Sequence, residues 1–216
     1  MKYVIVAIVA WLFAGCVASA QPLAGRFAVS PYQVQGSFPP QKRPQPIRFA
    51  CPRGSFILGY TIGFPQQPPP GYRPGYSPMR MSRSMNQNTI SFWNLGPREL
   101  GPYPVDASFF CAKENPPAGV AAYELVRHAI SERFSRTSPN ARDFLLVCNP
   151  GESFFGFFTQ FLDAPPPGFD PNHTPFLLVQ SDTAASSAKI AVENMADPGL
   201  PPYHLQGGYY CGRRLN

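Results

Sequence analysis

Two stretches of the chain, each 28 residues long, carry the pattern that decides the fold: CPRGSFILGYTIGFPQQPPPGYRPGYSP at 51–78 and CNPGESFFGFFTQFLDAPPPGFDPNHTP at 148–175. Aligned at a constant offset of 97 without a gap, they share 10 identical positions, which include the Cys, two Gly, one Phe and the Pro-Pro-Pro-Gly run. Self-similarity at a fixed offset indicates that one folding unit occurs twice. The match extends outward with small shifts, so we predict tandem units at 21–114 and 115–216.

Each predicted unit holds one pair of cysteines at matching places. Equivalent positions in two copies should pair alike, which predicts the disulfides Cys51–Cys111 and Cys148–Cys211. Each would close a loop of about 60 residues and stabilise the fold by roughly 3–4 kcal/mol. A zinc site is the alternative, and it is disfavoured because these cysteines lack a C-x₂-C spacing. The sequence indicates no metal and no other cofactor.

The N-terminus has the layout of a secretory signal. After Met1-Lys2, residues 3–14 form an apolar run, and Ala18-Ser19-Ala20 fits a cleavage site before Gln21, which predicts a signal peptide at 1–20. The run is shorter than the roughly 20 residues of a transmembrane helix, so we expect no membrane span and an oxidising, extracellular location. The alternative is a bacterial lipoprotein signal with Cys16 acylated, which would place the chain in the periplasm or at the outer membrane.

The composition favours short strands over helices. The chain has 28 Pro and 18 Gly, which disfavours long helices, and its 14% of aromatic residues argues against disorder. Segments 55–64 and 153–162 are rich in aromatic and β-branched residues, as strands are. Segment 120–134 contains good helix formers, but its counterpart 27–34 has Pro31 in its middle, so strand is the favoured prediction there.

We therefore predict an all-β fold of two tandem homologous, disulfide-closed antiparallel units, sandwich-like or prism-like and packed on each other. Pro/Gly-rich segments 65–79 and 163–175 are expected to form long loops at the same place in each unit. The Cys51-Pro52-Arg53-Gly54 opening and the Phe109-Phe110-Cys111 end resemble repeats of extracellular matrix and egg-coat proteins of the dermatopontin and vitelline-membrane outer-layer kinds. The Asp-Arg-x-Trp signature of the first and the triple repeat of the second are absent, so we interpret the resemblance as a shared way to begin and end such a unit.

Charge distinguishes the two copies. Residues 21–98 hold nine basic residues and no acidic one, whereas residues 99–216 hold eight basic and twelve acidic residues. Such an excess attracts polyanions. Arginine pairs with sulfate, carboxylate or phosphate, and tyrosine offers a flat face for a sugar. Since arginine and aromatic residues alternate after Gly71, we predict a binding site made by the following residues. They are Tyr72, Arg73, Tyr76, Arg80 and Arg83.

No catalytic motif was found. The three histidines, His128, His173 and His204, lack partners at the spacing of a metal site or a catalytic triad. The carboxylate pairs Glu124 with Glu132 and Asp163 with Asp170 match no glycosidase pattern that sequence can reveal. Because the residues that recur in both copies are Cys, Gly, Pro and aromatic, we expect a scaffold and not an enzyme.

The leading interpretation is a secreted, non-enzymatic protein that binds an anionic polysaccharide, matrix or cell surface. Three alternatives stay open. The chain could be a protein-directed factor, such as a protease inhibitor, toxin or host-interaction effector, with Pro-rich loops as rigid probes. The basic unit could instead dock on the acidic unit of the same or another copy. The arginines could also serve only to keep a Pro-rich surface soluble.

Overall fold

The computed structural model of the chain describes residues 20–43, 45–63, 79–84, 89–94, 98, 101–134, 142–161, 176–194 and 203–216. We refer to 20–114 as the first half and to 115–216 as the second half. The described residues form thirteen β-strands. These are β1 (Ala20–Pro22), β2 (Phe27–Phe38), β3 (Gln45–Arg48), β4 (Ser55–Gly63), β5 (Met79–Ser84), β6 (Thr89–Asn94), β7 (Tyr103–Glu114), β8 (Ala122–Phe134), β9 (Arg142–Val147), β10 (Glu152–Phe161), β11 (Phe176–Ala184), β12 (Ser187–Asn194) and β13 (Tyr203–Leu215).

Seven strands form one antiparallel sheet in the order β1-β8-β13-β10-β4-β7-β2. The two halves meet in the middle of this sheet, where β4 pairs with β10 at Tyr60 and Phe157. They meet again at its ends, because Phe27 of β2 pairs with Tyr123 of β8. The sheet thus closes on itself. We expected two units packed on each other, but strands from both halves hydrogen-bond within a single sheet.

Two three-stranded sheets complete the described structure, in the orders β3-β6-β5 and β9-β12-β11. The first contains only first-half strands and the second only second-half strands, and β11 lies against β5. We call them the first small sheet and the second small sheet. In each, the central strand pairs antiparallel with both neighbours, so every inner backbone group can be satisfied.

Both predicted disulfides are confirmed. Cys51 is bonded to Cys111 across 60 residues, and Cys148 is bonded to Cys211 across 63 residues. In each half the bond ties a long strand of the large sheet, β7 or β13, to the segment that leaves the small sheet and enters β4 or β10. Each bond therefore fixes the small sheet of one half to the large sheet.

Apolar side chains form two cores on opposite faces of the large sheet. The larger core contains Phe109 and Cys111 of β7, together with residues of both small sheets such as Ile90 and Ile190. The smaller core contains Ala112 of the same strand, and its other buried members are Phe27, Leu58, Leu125 and Phe155. Because neighbouring residues of a strand point to opposite faces, β7 supplies both cores.

The junction of the halves depends on two glycines at equivalent positions of the sequence repeat, Gly59 and Gly156. A Cβ added to Gly59 would lie 2.8 Å from the carbonyl carbon of Gly156, and one added to Gly156 would lie 2.6 Å from the backbone nitrogen of Tyr60. Gly156 also has a φ of 85°, which only glycine adopts without strain. Register shifts in β4 and β10 at this place let the two backbones approach.

The all-β prediction is confirmed, and segment 122–134 is a strand, as its Pro31-containing counterpart indicated. The sequence analysis missed three short strands, β1, β3 and β5. The predicted signal residues 1–19 with Cys16, and most of the predicted loops at 65–79 and 163–175, lie outside the described residues. Among the described residues, no helix has the length and apolar character that crossing a membrane requires.

The glycine junction generates a stability prediction. We expect Gly156→Ala to lower the free energy of unfolding by about 3 kcal/mol, from backbone strain plus overlap with backbone atoms that cannot move aside. Gly151→Ala is the matched control, since Gly151 also has a φ of 85° but nothing lies within 4 Å of the added Cβ. It should cost only about 1 kcal/mol. Urea unfolding measures both, and equal losses would contradict a role for the close approach.

Candidate functional site

The structure describes part of the predicted binding site. Tyr72, Arg73 and Tyr76 lie outside the described residues. Arg80 and Arg83 lie on β5, where their backbones pair with Trp93 and Ile90 of β6. These two arginines therefore belong to the first small sheet, directly after the predicted loop at 65–79.

The strands of the first small sheet are basic and contain no acidic residue. β3 supplies Arg48 and β5 supplies Arg80 and Arg83, while β6 has no charged residue. The strands of the second small sheet contain two basic and three acidic residues. These are Arg142, Asp143, Asp182, Lys189 and Glu193. The predicted charge difference between the two parts of the chain thus extends to corresponding sheets.

The first half carries several exposed cations, of which Arg48 lies in the first small sheet. Those with described side chains are Arg26, Lys42, Arg43, Arg48, Arg53, Arg98 and Lys113. None of them forms an ion pair with an acid in the part of the chain that the structure describes. In the second half, by contrast, Lys189 pairs with Asp143 at 2.9 Å and Arg213 pairs with Glu124. Among the described side chains, the exposed cations without an ion pair therefore lie mostly in the first half, and Arg214 is one in the second half.

A second arrangement lies in the second half, around the disulfide Cys148–Cys211. A ring nitrogen of His128, a carboxylate oxygen of Glu152 and the sulfur of Cys211 all lie within 4.8 Å of one another. We call these three residues the histidine cluster. His128 comes from β8, Cys211 from β13 and Glu152 from the start of β10, so three neighbouring strands of the large sheet bring them together.

The imidazole of His128 is held by stacking. Its ring lies parallel to that of Tyr209, with centroids 4.6 Å apart and an interplanar angle of 9°. The Tyr209 hydroxyl donates a hydrogen bond to the carbonyl of Val147 at 3.1 Å, which fixes the stack against the end of β9. His128 is 9% exposed, and its Nε2 has no hydrogen-bond partner among the described residues. Such a buried, unpartnered nitrogen costs stability.

The carboxylate of Glu152 is positioned by the backbone. The N–H of Asn149 donates a hydrogen bond to Oε2 of Glu152 at 3.0 Å, within the turn between Cys148 and β10. Burial lowers the pKa of His128, and the negative charge of Glu152 opposes this only in part. The imidazole is therefore neutral at neutral pH. Burial also raises the pKa of Tyr209, which keeps its hydroxyl protonated.

The corresponding place in the first half has the same strands and stacked rings, but it has no histidine and no carboxylate. Tyr32 stacks on Phe109 with centroids 5.2 Å apart and an interplanar angle of 12°. In β2, Tyr32 lies two residues after the residue that pairs with Cys111 across the sheet. His128 holds the same position in β8, two residues after the residue that pairs with Cys211. Ser55 and Glu152 also correspond. Ser55 lies in β4, two residues before the residue that pairs with Cys111, and Glu152 lies in β10, two residues before the residue that pairs with Cys211.

Sequence reasoning missed the histidine cluster, because it judged each histidine by its neighbours along the chain. A signal was present: aligning 27–34 with 123–130 sets Tyr32 against His128, and the offset of 97 sets Ser55 against Glu152. Two positions beside a disulfide thus carry ligand-type side chains in the second half and not in the first.

No protein-family model matches the chain, and no curated protein sequence matches it significantly. Its function is therefore inferred from its own residues.

The buried imidazole generates a prediction of pH dependence. The pKa of His128 is lower in the folded chain than the usual value near 6.5, so the unfolded chain binds the proton more readily. His128 therefore contributes a loss of stability as pH falls below about 6.5, at most about 1.4 kcal/mol per pH unit. His128→Tyr installs the first-half residue and should remove this contribution.

The measurement is urea unfolding of both proteins at pH 7.5 and pH 5. Subtracting the two pH dependences cancels the other histidines and the carboxylates, which both proteins share. An unchanged pH dependence in His128→Tyr would contradict a lowered pKa at this position.

Proposed function

We propose that the chain is a secreted, non-enzymatic protein that binds an anionic glycan, matrix or cell surface through its first half. The observation that carries the proposal is the first small sheet, whose strands contain three arginines and no acid. The exposed side chain of Arg48, one of these three, and the exposed side chains of Lys42 and Arg43 carry the charge along the edge strand β3 and the bend before it. The proposed contacts are Tyr72, Arg73, Tyr76, Arg80 and Arg83, joined by these three cations.

Secretion is part of the proposal, with residues 1–20 as a signal peptide cut before Gln21. The disulfides Cys51–Cys111 and Cys148–Cys211 support it, since such bonds persist in oxidising compartments. Acidic polysaccharides and anionic cell surfaces are the polyanions available there. Arginine matches their sulfate and carboxylate groups because its planar guanidinium forms two parallel hydrogen bonds.

The proposal also includes two homologous units, 21–114 and 115–216. Their support is the strand order: β8-β13-β10 and β4-β7-β2 are mirror-ordered around the junction, with β2, β4 and β7 in the places of β8, β10 and β13. The order of each small sheet repeats likewise, with β3, β6 and β5 in the places of β9, β12 and β11. Two units on one scaffold allow one surface to become basic while the other keeps a balanced charge.

A protein-directed role is the second candidate, and one observation favours it. Leu145 and Val147 of β9 are 70% and 49% exposed, on a strand at the edge of the second small sheet. Their counterparts at the offset of 97 are Arg48 and Ala50. An exposed apolar edge strand suits a protein partner, whereas the basic counterpart suits an anion.

Heparin affinity chromatography tests the proposal on the whole mature chain, because both halves contribute to the large sheet. We expect the chain to be retained and then eluted by salt. The Debye length, over which charges interact, falls from about 10 Å at 0.1 M ionic strength to about 3 Å at 1 M. Charge reversal at Arg73, Arg80 and Arg83 to Glu should weaken binding by about 100-fold, as each lost attraction and new repulsion together amount to about 1 kcal/mol.

The matched control reverses three second-half cations, Lys189, Arg213 and Arg214, to Glu. It makes the same change in net charge, and the two exposed ion pairs that it breaks contribute only about 0–1 kcal/mol each. The control should keep most of the binding. Flow-through of the wild type, or equal weakening in the two variants, would overturn the proposal. Salt-insensitive capture of a protein partner, lost in Leu145→Asp, would instead support the protein-directed role.

A further inference from the structure

The geometry points to a divalent transition-metal site at the histidine cluster, formed when the disulfide Cys148–Cys211 is reduced. We propose that Zn²⁺ is held there by His128, Glu152 and Cys211, with Cys148 as the fourth ligand. This site lies in the second half, apart from the basic surface, and does not depend on the anion-binding proposal.

The donor set fits zinc. Imidazole nitrogen, thiolate sulfur and carboxylate oxygen are its usual protein ligands, and structural zinc sites have four of them in tetrahedral array. Metal–ligand distances of about 2.0–2.3 Å place ligand atoms about 3.3–3.8 Å apart. The atoms of His128, Glu152 and Cys211 lie within 4.8 Å of one another, so each needs to move by about 1 Å or less. The sulfur of Cys148 is already bonded to that of Cys211.

The surroundings are those of a closed, structural metal site. Cys211 is fully buried, Cys148 is 6% exposed and His128 is 9% exposed. Stacking on Tyr209 orients the imidazole, and the hydrogen bond from the Asn149 N–H orients the carboxylate of Glu152. Such outer contacts are typical of metal ligands in proteins. The Nε2 of His128 adds an independent observation, because it is buried and has no hydrogen-bond partner among the described residues, so it is available to a ligand.

The disulfide controls access to the site. A sulfur in an S–S bond is not a thiolate and is a poor zinc ligand. A dithiol reductant breaks the Cys148–Cys211 bond by exchange: its two thiols become a disulfide, and its two protons end on the cysteine sulfurs. Zn²⁺ then binds as both cysteine thiols release their protons to solvent. In the oxidised chain the disulfide joins these strands, and in the reduced chain the metal would join them at the same place.

The first half shows that the scaffold does not require the ligands. Beside Cys51–Cys111, Tyr32 provides the stacking that His128 provides, and Ser55 occupies the place of Glu152. Two cysteines alone make an incomplete site. Reduction is therefore expected to create one metal site per chain and not two.

Co²⁺ titration of the phosphine-reduced, full chain tests the proposal, since tetrahedral Co²⁺ reports on its ligands by visible absorption and thiolate charge transfer. A phosphine is used because added thiols bind metals; it takes oxygen from water while the S–S bond gains two electrons and two protons. We expect one equivalent of Co²⁺ in the reduced chain, displaced by Zn²⁺, and none in the oxidised chain. Bound Zn²⁺ should also raise the Tm of the reduced chain.

Two reciprocal variants sharpen the test. His128→Tyr with Glu152→Ser gives the second half the first-half residues and should weaken Co²⁺ binding by about 100-fold or more. Tyr32→His with Ser55→Glu gives the first half the ligands and should raise the stoichiometry to two. Glu152→Gln keeps the side-chain shape and should weaken binding without altering the oxidised fold, which circular dichroism checks.

Three results would overturn the proposal. The reduced wild type could bind no Co²⁺. It could bind Co²⁺ as tightly after His128 and Glu152 are replaced, as thiols of an unfolded chain would. It could also bind two equivalents, which would make the paired cysteines sufficient without the other ligands.

Discussion

The close approach of two backbones, at Gly59 in β4 and Gly156 in β10, is the constraint on which the rest of the structure depends. Here the halves share one sheet, and a side chain at either position would overlap the other strand's backbone. The approach brings the rings of Tyr60 and Phe157 to 4.6 Å, and both are fully buried. From this point each half extends outward through two long strands, which meet again at Phe27 and Tyr123. Closure of the sheet leaves few free edges, and the small sheets cover the face that carries the disulfides.

The features common to both halves are those that build the scaffold. Each half has a disulfide that joins the segment before β4 or β10 to the long strand β7 or β13. Beside it lies a stacked pair of rings, Tyr32 with Phe109 or His128 with Tyr209. The differences fall on two kinds of position. Exposed places differ in charge, such as Arg48 against Leu145, and a buried place differs in chemistry, Tyr32 against His128. Substitutions of the first kind cost little, because surface changes affect stability weakly. The second kind has to respect the packing of a core.

The sequence predicted the features that recur along the chain, and it did not predict those that depend on the register between strands distant in sequence. The disulfide pairing followed from equivalent cysteines, and the strand at 122–134 followed from Pro31 in its counterpart, because proline breaks a helix in either copy. The sharing of one sheet could not be predicted, since a repeat defines each unit but not how two units join. Likewise His128, Glu152 and Cys211 are far apart in sequence and meet only because β8, β13 and β10 are neighbours in a particular register. The strand β5 was missed because it begins directly after Pro78, at the end of a Pro-rich segment whose composition hides a short strand.

Tyr32 and His128 show that the stacked ring and its nitrogen serve different purposes. Both rings lie flat on an aromatic residue of the adjacent long strand, so the stack alone requires no nitrogen. In His128 the buried Nε2 has no hydrogen-bond partner among the described residues, and a buried group without one costs about 1–3 kcal/mol. Tyrosine would provide the stacking at this position without that cost, as it does at position 32. Glu152 introduces a second group that the scaffold does not need, since Ser55 occupies its place in the first half. The buried nitrogen and a carboxylate that the scaffold does not need converge on the sulfur of Cys211, and neither stands beside Cys51–Cys111. The proposed metal site would account for both, whereas packing accounts for neither.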